Sequence, residues 1–241
     1  MDRSDEGSGA ETKEPFCVRK RVGTAKEETR GFQVDSCLGP SGCPNRVGDG
    51  DTLVARVEAA LDALDLKSFL KARVKGVLKS HHRFRVSISD CPNGCSRPQI
   101  VDVGLLGACQ PGLTDEPCNR CNGCVESCRE QAIILADGCC PLIDFTRCLA
   151  CGQCLGACPT GTLAEAKRGY RILVGGKLGR HPRLGRELPG IFTADEALLV
   201  VNRCLEFYMA NWCAGERFGE ILNRVGDEGL AAAGTTGAEP A

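Results

Sequence analysis

Eight cysteines form two runs with the same spacing, and these runs are the strongest chemical signal in the chain. Each run reads Cys-x2-Cys-x2-Cys-x3-Cys, and the second begins thirty residues after the first. Three thiolates at successive two-residue gaps suit three corners of an iron-sulfur cluster, because a short turn can wrap that far around a cube. The runs consist of Cys118, Cys121, Cys124 and Cys128, and of Cys148, Cys151, Cys154 and Cys158.

The fourth cysteine of each run is expected to cross to the other cluster, as in bacterial-type ferredoxins. We therefore expect residues 113–167 to form a ferredoxin domain with two [4Fe-4S] clusters. A zinc knuckle is the alternative, although structural zinc favours two separated ligand pairs. Arg129 departs from the usual pattern, which has proline after the fourth cysteine. The expected ligand sets are Cys118, Cys121, Cys124 and Cys158 for one cluster, and Cys148, Cys151, Cys154 and Cys128 for the other.

Four more cysteines form two looser pairs outside these runs. Cys37 and Cys43 read Cys-x5-Cys, whereas Cys91 and Cys95 read Cys-x3-Cys. Each pair alone is weak evidence for a ligand set, since buried cysteines often act as small apolar side chains. Four thiolates are nevertheless enough for one more cluster. Six cysteines have no matching pattern, and of these we expect the last two to be packed thiols: Cys17, Cys109, Cys139, Cys140, Cys204 and Cys213.

The elements around the cysteines predict an α+β fold with an insertion. Apolar residues at helical spacing between Thr52 and Leu70 predict one or two helices, and Phe84, Val86 and Ile88 alternate as in a strand. Residues 172–174 predict another strand, which breaks at two glycines. A capping box of Thr193 and Glu196 begins a helix whose apolar face is expected to continue as far as Trp212.

Composition excludes several classes of protein. With 30 basic and 31 acidic residues, the net charge of -1 gives no general attraction to nucleic acid. No window has the roughly 18 apolar residues of a membrane span, and no apolar leader follows Met1, so we expect a cytoplasmic protein. There, the 18 cysteines favour metal binding over disulfides. Residues 1–15 and 226–241 are expected to be disordered tails, because their composition cannot bury a core.

From about Gly31 to Gly226, the sequence resembles the C-terminal half of sulfite and nitrite reductases. The matching segments include CPNGCSRPQI, VDVGLLG, GGKLGRHPRL and GERFGEIL. A ferredoxin pair between the second and third segments is similar to the arrangement in dissimilatory sulfite reductase subunits and in the anaerobic sulfite reductase C subunit. The resemblance implies a siroheme and [4Fe-4S] domain formed by residues 16–112 and 168–225.

The resemblance also implies roles for individual residues. It places a third [4Fe-4S] cluster on Cys37, Cys43, Cys91 and Cys95, with the Cys95 sulfur as the axial ligand of a siroheme iron. Asn93 and Gly94 would form the tight loop beside the macrocycle, since glycine permits a close backbone approach. Siroheme has eight carboxylates, which need cations or amide donors. The residues that match macrocycle-contacting stretches are Arg97, Lys177, Arg180, His181 and Arg183, and the catalytic set would be Cys95, Arg97, Lys177 and Arg180.

The implied function is the six-electron reduction of sulfite to sulfide or of nitrite to ammonia, with electrons entering through the ferredoxin clusters. Partners would be the small anion and an electron-donor protein. Only 36 residues precede Cys37, whereas the reductases carry a large N-terminal half that grips the anion. Two alternatives therefore stand. One is an electron-transfer subunit that needs a partner chain or a second copy for catalysis, or that has no chemistry of its own. The other is a protein that kept its clusters but lost the macrocycle.

Overall fold

A computed structural model describes residues 20–21, 30–39, 42–135, 140–226 and 230. They form a mixed sheet with helices on one face and a small helical insert, so the α+β prediction is confirmed. The strands are β1 (Lys20–Arg21), β2 (Phe32–Ser36), β3 (Phe84–Ser89), β4 (Val103–Leu113), β5 (Ile133–Leu135), β6 (Pro141–Ile143), β7 (Leu163–Val174) and β8 (Arg186–Glu187). The helices are α1 (Gly50–Ala63), α2 (Leu66–Arg73), α3 (Gly123–Ser127), α4 (Gln153–Gly156), α5 (Ala194–Ala210) and α6 (Phe218–Val225).

The main sheet has the strand order β1-β2-β3-β4-β7-β8. Its centre is parallel, because β2 pairs with β3 and β3 pairs with β4 in the same direction. The outer pairs β1/β2, β4/β7 and β7/β8 are antiparallel. Parallel neighbours end at the same edge of a sheet, so the segments that leave β2 and β3 begin side by side.

One face of the sheet packs against the helices to form the main core. Leu53, Val57 and Leu61 recur at four-residue spacing on α1 and are at most 1% exposed, as a core-facing helix stripe requires. On α5, Thr193 and Glu196 form the predicted capping box, with hydrogen bonds of 3.3 and 2.7 Å. The helices predicted after Thr52 and the strand predicted from Phe84 are likewise present.

A long antiparallel ribbon carries the insert. β4 and β7 pair from Val103 with Val174 to Leu113 with Leu163, with one irregularity at Gln110 and Pro111. Both cysteine runs lie in the chain between these strands, where β5 and β6 form a separate two-stranded sheet. β4 ends at the expected domain limit at 113, whereas β7 runs through the limit at 167, so the ribbon belongs to the core at one end and to the insert at the other.

The structure corrects three details. Helix α5 ends at Ala210, so Trp212 lies beyond it and not on its apolar face. Leu230 is 2% exposed and packs in the main core, so the expectation that residues 226–241 bury nothing is wrong at this position; the rest of the expected tails lies outside the described residues, apart from Gly226. Cys204 is fully buried as expected, but Cys213 is exposed.

Asp102 joins several elements at the edge of the sheet where β3 and β4 begin. Its side chain is 1% exposed, and Oδ2 accepts hydrogen bonds from the backbone N–H of Arg85 and the guanidinium of Arg217, both at 2.8 Å. Its carbonyl accepts the N–H of Gly175 at 2.8 Å. Burial raises the pKa of Asp102, and the charge of Arg217 opposes that shift. The carboxylate therefore holds β3 to the start of α6, and the backbone of the same residue holds the end of β7.

We predict that Asp102→Ala destabilises the protein by about 3–5 kcal/mol, because it leaves the partly buried charge of Arg217 and a backbone donor unpaired. The surface pair between Arg224 and Glu216 is the matched control, and Glu216→Ala should cost below about 1 kcal/mol. Anaerobic urea unfolding followed by circular dichroism measures both. Equal midpoints for the two variants would show that the buried pair contributes no more than a surface pair.

Candidate functional site

The first cysteine of each looser pair lies at the edge where the parallel strands end. Cys37 directly follows β2, and Cys91 follows β3 after one residue. The N–H of Cys37 donates to the carbonyl of Ile88 at 3.0 Å, which continues the pairing of the two strands. Residues more than 50 positions apart in the chain are therefore brought together by sheet pairing alone.

Asp90 connects the loops at this edge, a role that the sequence analysis missed. Its N–H donates to Cys37 Sγ at 3.3 Å, and its carbonyl accepts the N–H groups of Val47 and Gly48 at 2.8 and 3.0 Å. The side chain is 3% exposed, with Arg46 Nε 3.6 Å from Oδ2. Burial raises the pKa of Asp90 to about 6, and Arg46 opposes the shift.

The Cys-x5-Cys and Cys-x3-Cys pairs form one group of four thiols. The pKa of Cys91 is raised by burial first, while the backbone of Asn93 lowers it and Cys43, Cys95 and Cys37 raise it further. The side-chain amide of Asn93 also donates to Cys95 Sγ at 3.1 Å. Gly94 has a φ of 64°, a left-handed conformation that favours glycine. The tight loop therefore brings an amide donor to the sulfur of Cys95.

The two cysteine runs of the insert have the same local backbone. Arg120 and Asn122 in the first run, and Ala150 and Gly152 in the second, have positive φ values of 55–73°. These left-handed residues turn the chain sharply, at a steric cost for the residues other than glycine. In consequence the N–H groups of Arg120 and Ala150 donate to Cys118 and Cys148 Sγ, both at 3.4 Å.

The insert also brings together cysteines from different runs. Burial is the largest cause of the raised pKa of Cys124. Two backbone hydrogen bonds lower this pKa, and the nearby Cys158 and Cys118 raise it. The pKa of Cys154 is raised to about 12 by burial and then by Cys151 and Cys148, with a smaller contribution from Cys128. In each set the cysteine that ends one run therefore lies near thiols of the other. Cys121 is exposed on the loop before α3.

Backbone donors also reach the crossing cysteines. The N–H of Ala132 donates to Cys128 Sγ at 3.3 Å, and the N–H of Leu163 donates to Cys158 Sγ at 3.4 Å. Cys124 and Cys154 pack with Ile133 and Leu163 in a small apolar core. The thiols of both sets thus lie among backbone amides and apolar side chains, the surroundings that tune an iron-sulfur cluster.

A cavity of about 340 Å³ joins the insert to the strand edge. All four cysteines of the second set line it, together with Cys91, Pro92 and Asn93 on the other side. Gln153 Nε2 and Asn45 Oδ1 lie 3.4 Å apart beside it. Of the two sets in the insert, the structure therefore places Cys128, Cys148, Cys151 and Cys154 next to the loop that carries Cys91 and Cys95.

The five basic candidates divide into two classes. Lys177 Nζ pairs with Glu220 at 2.5 Å, and Arg183 donates to the carbonyl of Gly175 at 2.9 and 3.2 Å. These two side chains hold their own loop, whose ends also pair through backbone bonds between them. The other three, Arg97, Arg180 and His181, are exposed.

This loop packs beside the chain that leaves Cys95. The N–H of Gly185 donates to the carbonyl of Gln99 at 2.7 Å, and a side chain at Gly176 would clash with the same carbonyl. Close contact therefore requires glycine at residue 176. This contact brings the loop that carries Arg180 and His181 against the short turn that follows Arg97.

Cys109, a cysteine outside the three predicted ligand sets, also lies beside one of them. It is 1% exposed on β4, and its N–H donates to the carbonyl of Ala150 at 2.7 Å. Its thiol lies 3.6 Å from Glu165 Oε2. No local spacing signals this role, because the contact depends on how the ribbon carries the insert.

Two kinds of feature are absent from the described residues. No three or more His, Cys, Asp or Glu side chains are grouped closely enough there to hold a single metal ion. The thiolates around one zinc ion lie closer together than those at the four corners of a cubane, since zinc binds sulfur at about 2.3 Å. No helix in the same ranges is long and apolar enough to cross a bilayer.

The distribution of the cysteines predicts a pattern of alkylation. In the anaerobically purified protein, iodoacetamide should modify exposed Cys213 but not Cys204, because burial raises the pKa of the Cys204 thiol and blocks access. Cysteines of the three sets should react only after a chelator removes iron. Peptide mass spectrometry measures this, with urea-unfolded protein as the control. Modification of Cys91 or Cys154 in untreated native protein would contradict their assignment as ligands.

Comparison with known proteins identifies the family. The family model described as the nitrite and sulphite reductase 4Fe-4S domain matches residues 29–235. The coenzyme F420-dependent sulfite reductase of Methanocaldococcus jannaschii is 34% identical over 147 residues, which cover 60% of this chain and 23% of that protein. The beta chain of the dissimilatory-type sulfite reductase of Archaeoglobus fulgidus is 26% identical over 167 residues, which cover 60% of this chain and 43% of that protein.

A solved structure shows the same fold. The crystal structure of dissimilatory sulfite reductase I superimposes with a TM-score of 0.54 at 21% identity, covering 86% of this chain and 53% of that one. The chain thus spans less than two thirds of the length of each of these proteins. Because the family model matches most of its residues, the chain belongs to the nitrite and sulphite reductase 4Fe-4S domain family.

Proposed function

We propose that this chain carries the redox centre of a siroheme-dependent sulfite or nitrite reductase. Three [4Fe-4S] clusters and one siroheme would serve the six-electron reduction of sulfite to sulfide or of nitrite to ammonia. The observation that carries the proposal is the group formed by Cys37, Cys43, Cys91 and Cys95 at the edge of the parallel strands. In a member of this family, four thiols grouped there suit a cluster with a shared axial cysteine.

The donor set fits iron-sulfur clusters. Each of the three groups contains four thiols, and amide N–H groups donate to sulfurs in every group. Such hydrogen bonds favour the thiolate form and stabilise the charge of a reduced cluster. The paired runs and their crossing cysteines support two ferredoxin-type clusters over a single zinc site.

The residues around Cys95 fit one edge of a siroheme. Arg97, Arg180 and His181 are exposed near the loop that carries Cys95 and are suited to bind macrocycle carboxylates. Siroheme, when bound, supplies an open iron coordination site at which a small anion is reduced. Asn93 orients the Cys95 sulfur, and the cations attract the anion and offset the charge that builds up during its reduction.

Electrons would pass from the cluster on Cys118, Cys121, Cys124 and Cys158 to the second cluster of the insert. From there they would pass to the centre at the strand edge. Cys121 is exposed, which suits contact of the first cluster with a donor protein. The cavity shared by the second set and Cys91 supports direct transfer from the second cluster to the centre at the strand edge. The order of the three clusters along this path is therefore part of the proposal.

A second candidate is an electron-transfer subunit whose catalytic site is completed by a partner chain or a second copy. The engagement of Lys177 with Glu220 and of Arg183 with Gly175 favours it. Of the five basic residues expected beside the siroheme, these two are already used within the chain. A partner would then supply the missing ones.

Iron and tetrapyrrole content test the proposal. We expect about thirteen iron atoms per chain in anaerobically purified protein, from three four-iron clusters and one macrocycle. Acid-acetone extraction should release siroheme in a 1:1 ratio to protein. About twelve iron atoms without tetrapyrrole would contradict the reductase and favour a three-cluster electron carrier.

A matched pair of variants separates the centres. Cys95→Ser should abolish siroheme retention and cost about five iron atoms, whereas Cys121→Ser should retain siroheme and slow its reduction by an external donor. Iron analysis, absorbance spectra and stopped-flow reduction measure these effects. Loss of all iron from the Cys95 variant would show that the three sites are not independent. Unchanged reduction of the Cys121 variant would contradict the proposed path.

Asn93 provides a test of the shared sulfur. Asn93→Ala removes a donor to Cys95 Sγ, so the more electron-rich thiolate should lower the midpoint potential of its cluster. A hydrogen bond of about 1 kcal/mol corresponds to about 40 mV for one electron. Potentiometry followed by electron paramagnetic resonance measures the shift, and the two clusters of the insert are the internal control. An unchanged potential would mean that this hydrogen bond does not reach the cluster.

A further inference from the structure

A second cleft lies on the helical side of the sheet, away from the cysteines. It has a volume of about 590 Å³ and lies between the end of α2, the turn at Ser80–His82 and the residues that follow α5. His82 precedes β3 by one residue, whereas Cys91 follows its other end. The six residues of β3 span about 17 Å, so the cleft and the proposed redox centre lie at opposite ends of this strand.

Aromatic rings form one wall of the cleft. Trp212 is partly buried, and its ring meets Phe69 edge-on with centroids 6.4 Å apart. Tyr208 is 5% exposed, and burial raises its pKa to about 12, so it lines the cleft as a neutral phenol. A flat apolar surface with polar edges suits a planar aromatic ligand.

Cations without carboxylate partners form part of the rim of the cleft. Arg73 and Lys75 line the cleft and are exposed, and within the described residues no carboxylate pairs with either of them. The guanidinium of Arg73 lies 3.8 Å from the centroid of the Phe69 ring. The acidic side chain among the lining residues, Glu216, is held by Arg224 at 2.8 Å. The rim therefore has an excess of positive charge in a protein whose net charge is -1.

The histidines add hydrogen-bond donors to this rim. His82 Nδ1 accepts the N–H of Lys79 at 3.0 Å, so the neutral ring carries its proton on Nε2. Burial lowers the pKa of His82, and the positive charges of His81, Lys79 and Arg217 lower it further. The potential in the cleft is thus positive even where the imidazole is neutral, and that favours an anion.

A comparison within the molecule separates this cleft from an ordinary charged surface. Another cleft, of about 640 Å³, is lined by Arg46, Arg56 and Arg168. There each arginine is paired, with Asp49 at 2.7 Å, Asp195 at 2.5 Å and Glu165 at 2.5 Å, respectively. Its charge is therefore neutralised locally, whereas the charge beside Trp212 is not.

We propose that the cleft beside Trp212 binds a nucleoside monophosphate, with the base against Trp212 and the phosphate at Arg73, Lys75 and His81. The aromatic wall and the unpaired cations supply the two features that such a ligand requires, and the volume is typical of a small-molecule site. The proposal does not depend on the cysteine assignments. It would give the protein a nucleotide site separate from its redox centre.

Titration calorimetry with AMP and GMP on the anaerobically purified protein tests the proposal. We expect saturable binding of at least one nucleotide with a Kd below about 1 mM. Adenosine, guanosine and inorganic phosphate should each bind at least about tenfold more weakly, because each supplies one of the two features. Trp212 is the only tryptophan in the chain, so quenching of its fluorescence should follow the same binding curve.

The double variant Arg73→Gln/Lys75→Gln should bind at least about tenfold more weakly, as expected for the loss of charge-assisted hydrogen bonds. Lys167→Gln removes one exposed charge outside the cleft and is the control, which should bind normally. Both sets of substitutions are at exposed positions, and circular dichroism checks that the variants fold. Absence of binding by both nucleotides, equal binding of inorganic phosphate, or an unaffected double variant would each overturn the proposal.

Discussion

The parallel pairing of β2 with β3 is the constraint on which the candidate centre depends. It fixes where both strands end, and the hydrogen bond from Cys37 to Ile88 extends the pairing by one residue. Asp90 then binds the sulfur of Cys37 through its N–H and the Val47–Gly48 loop through its carbonyl. Backbone hydrogen bonds therefore position the thiols, and a change that shifted the register of β2 would separate them.

The buried carboxylates have different roles in this arrangement. Asp102 accepts two hydrogen bonds on Oδ2 and joins elements of the core. Asp90 is similarly buried, but its carboxylate is held less closely: Arg46 Nε lies 3.6 Å from Oδ2, and Arg46 and the backbone of Gly50 only partly offset the effect of burial on its pKa. A buried carboxyl with so few partners is costly. Its backbone contacts show why the residue is needed at this position.

Features that depend on local sequence were predictable. The Phe84–Ser89 strand, the Thr193 capping box and the cysteine spacings are all encoded within a few neighbouring residues. Features that depend on remote contacts were not. The pairing of Lys177 with Glu220 joins residues 43 positions apart, and Cys109 contacts the insert only because β4 pairs with β7. The apolar periodicity of α5 continues to Trp212, beyond the end of the helix at Ala210, because periodicity does not show where a helix ends.

The β4/β7 ribbon has a consequence for how such a protein can change. Because Leu113 and Leu163 are direct neighbours in the ladder, the core meets the whole cysteine-rich insert as if it were the loop of one hairpin. Lengthening such a loop adds little to the entropic cost of bringing its ends together, because that cost grows only with the logarithm of the loop length. A segment of another size and chemistry can therefore replace the insert without opening the sheet. In evolution or in design, one core could acquire, exchange or lose its cysteine-rich insert at this end of the ribbon.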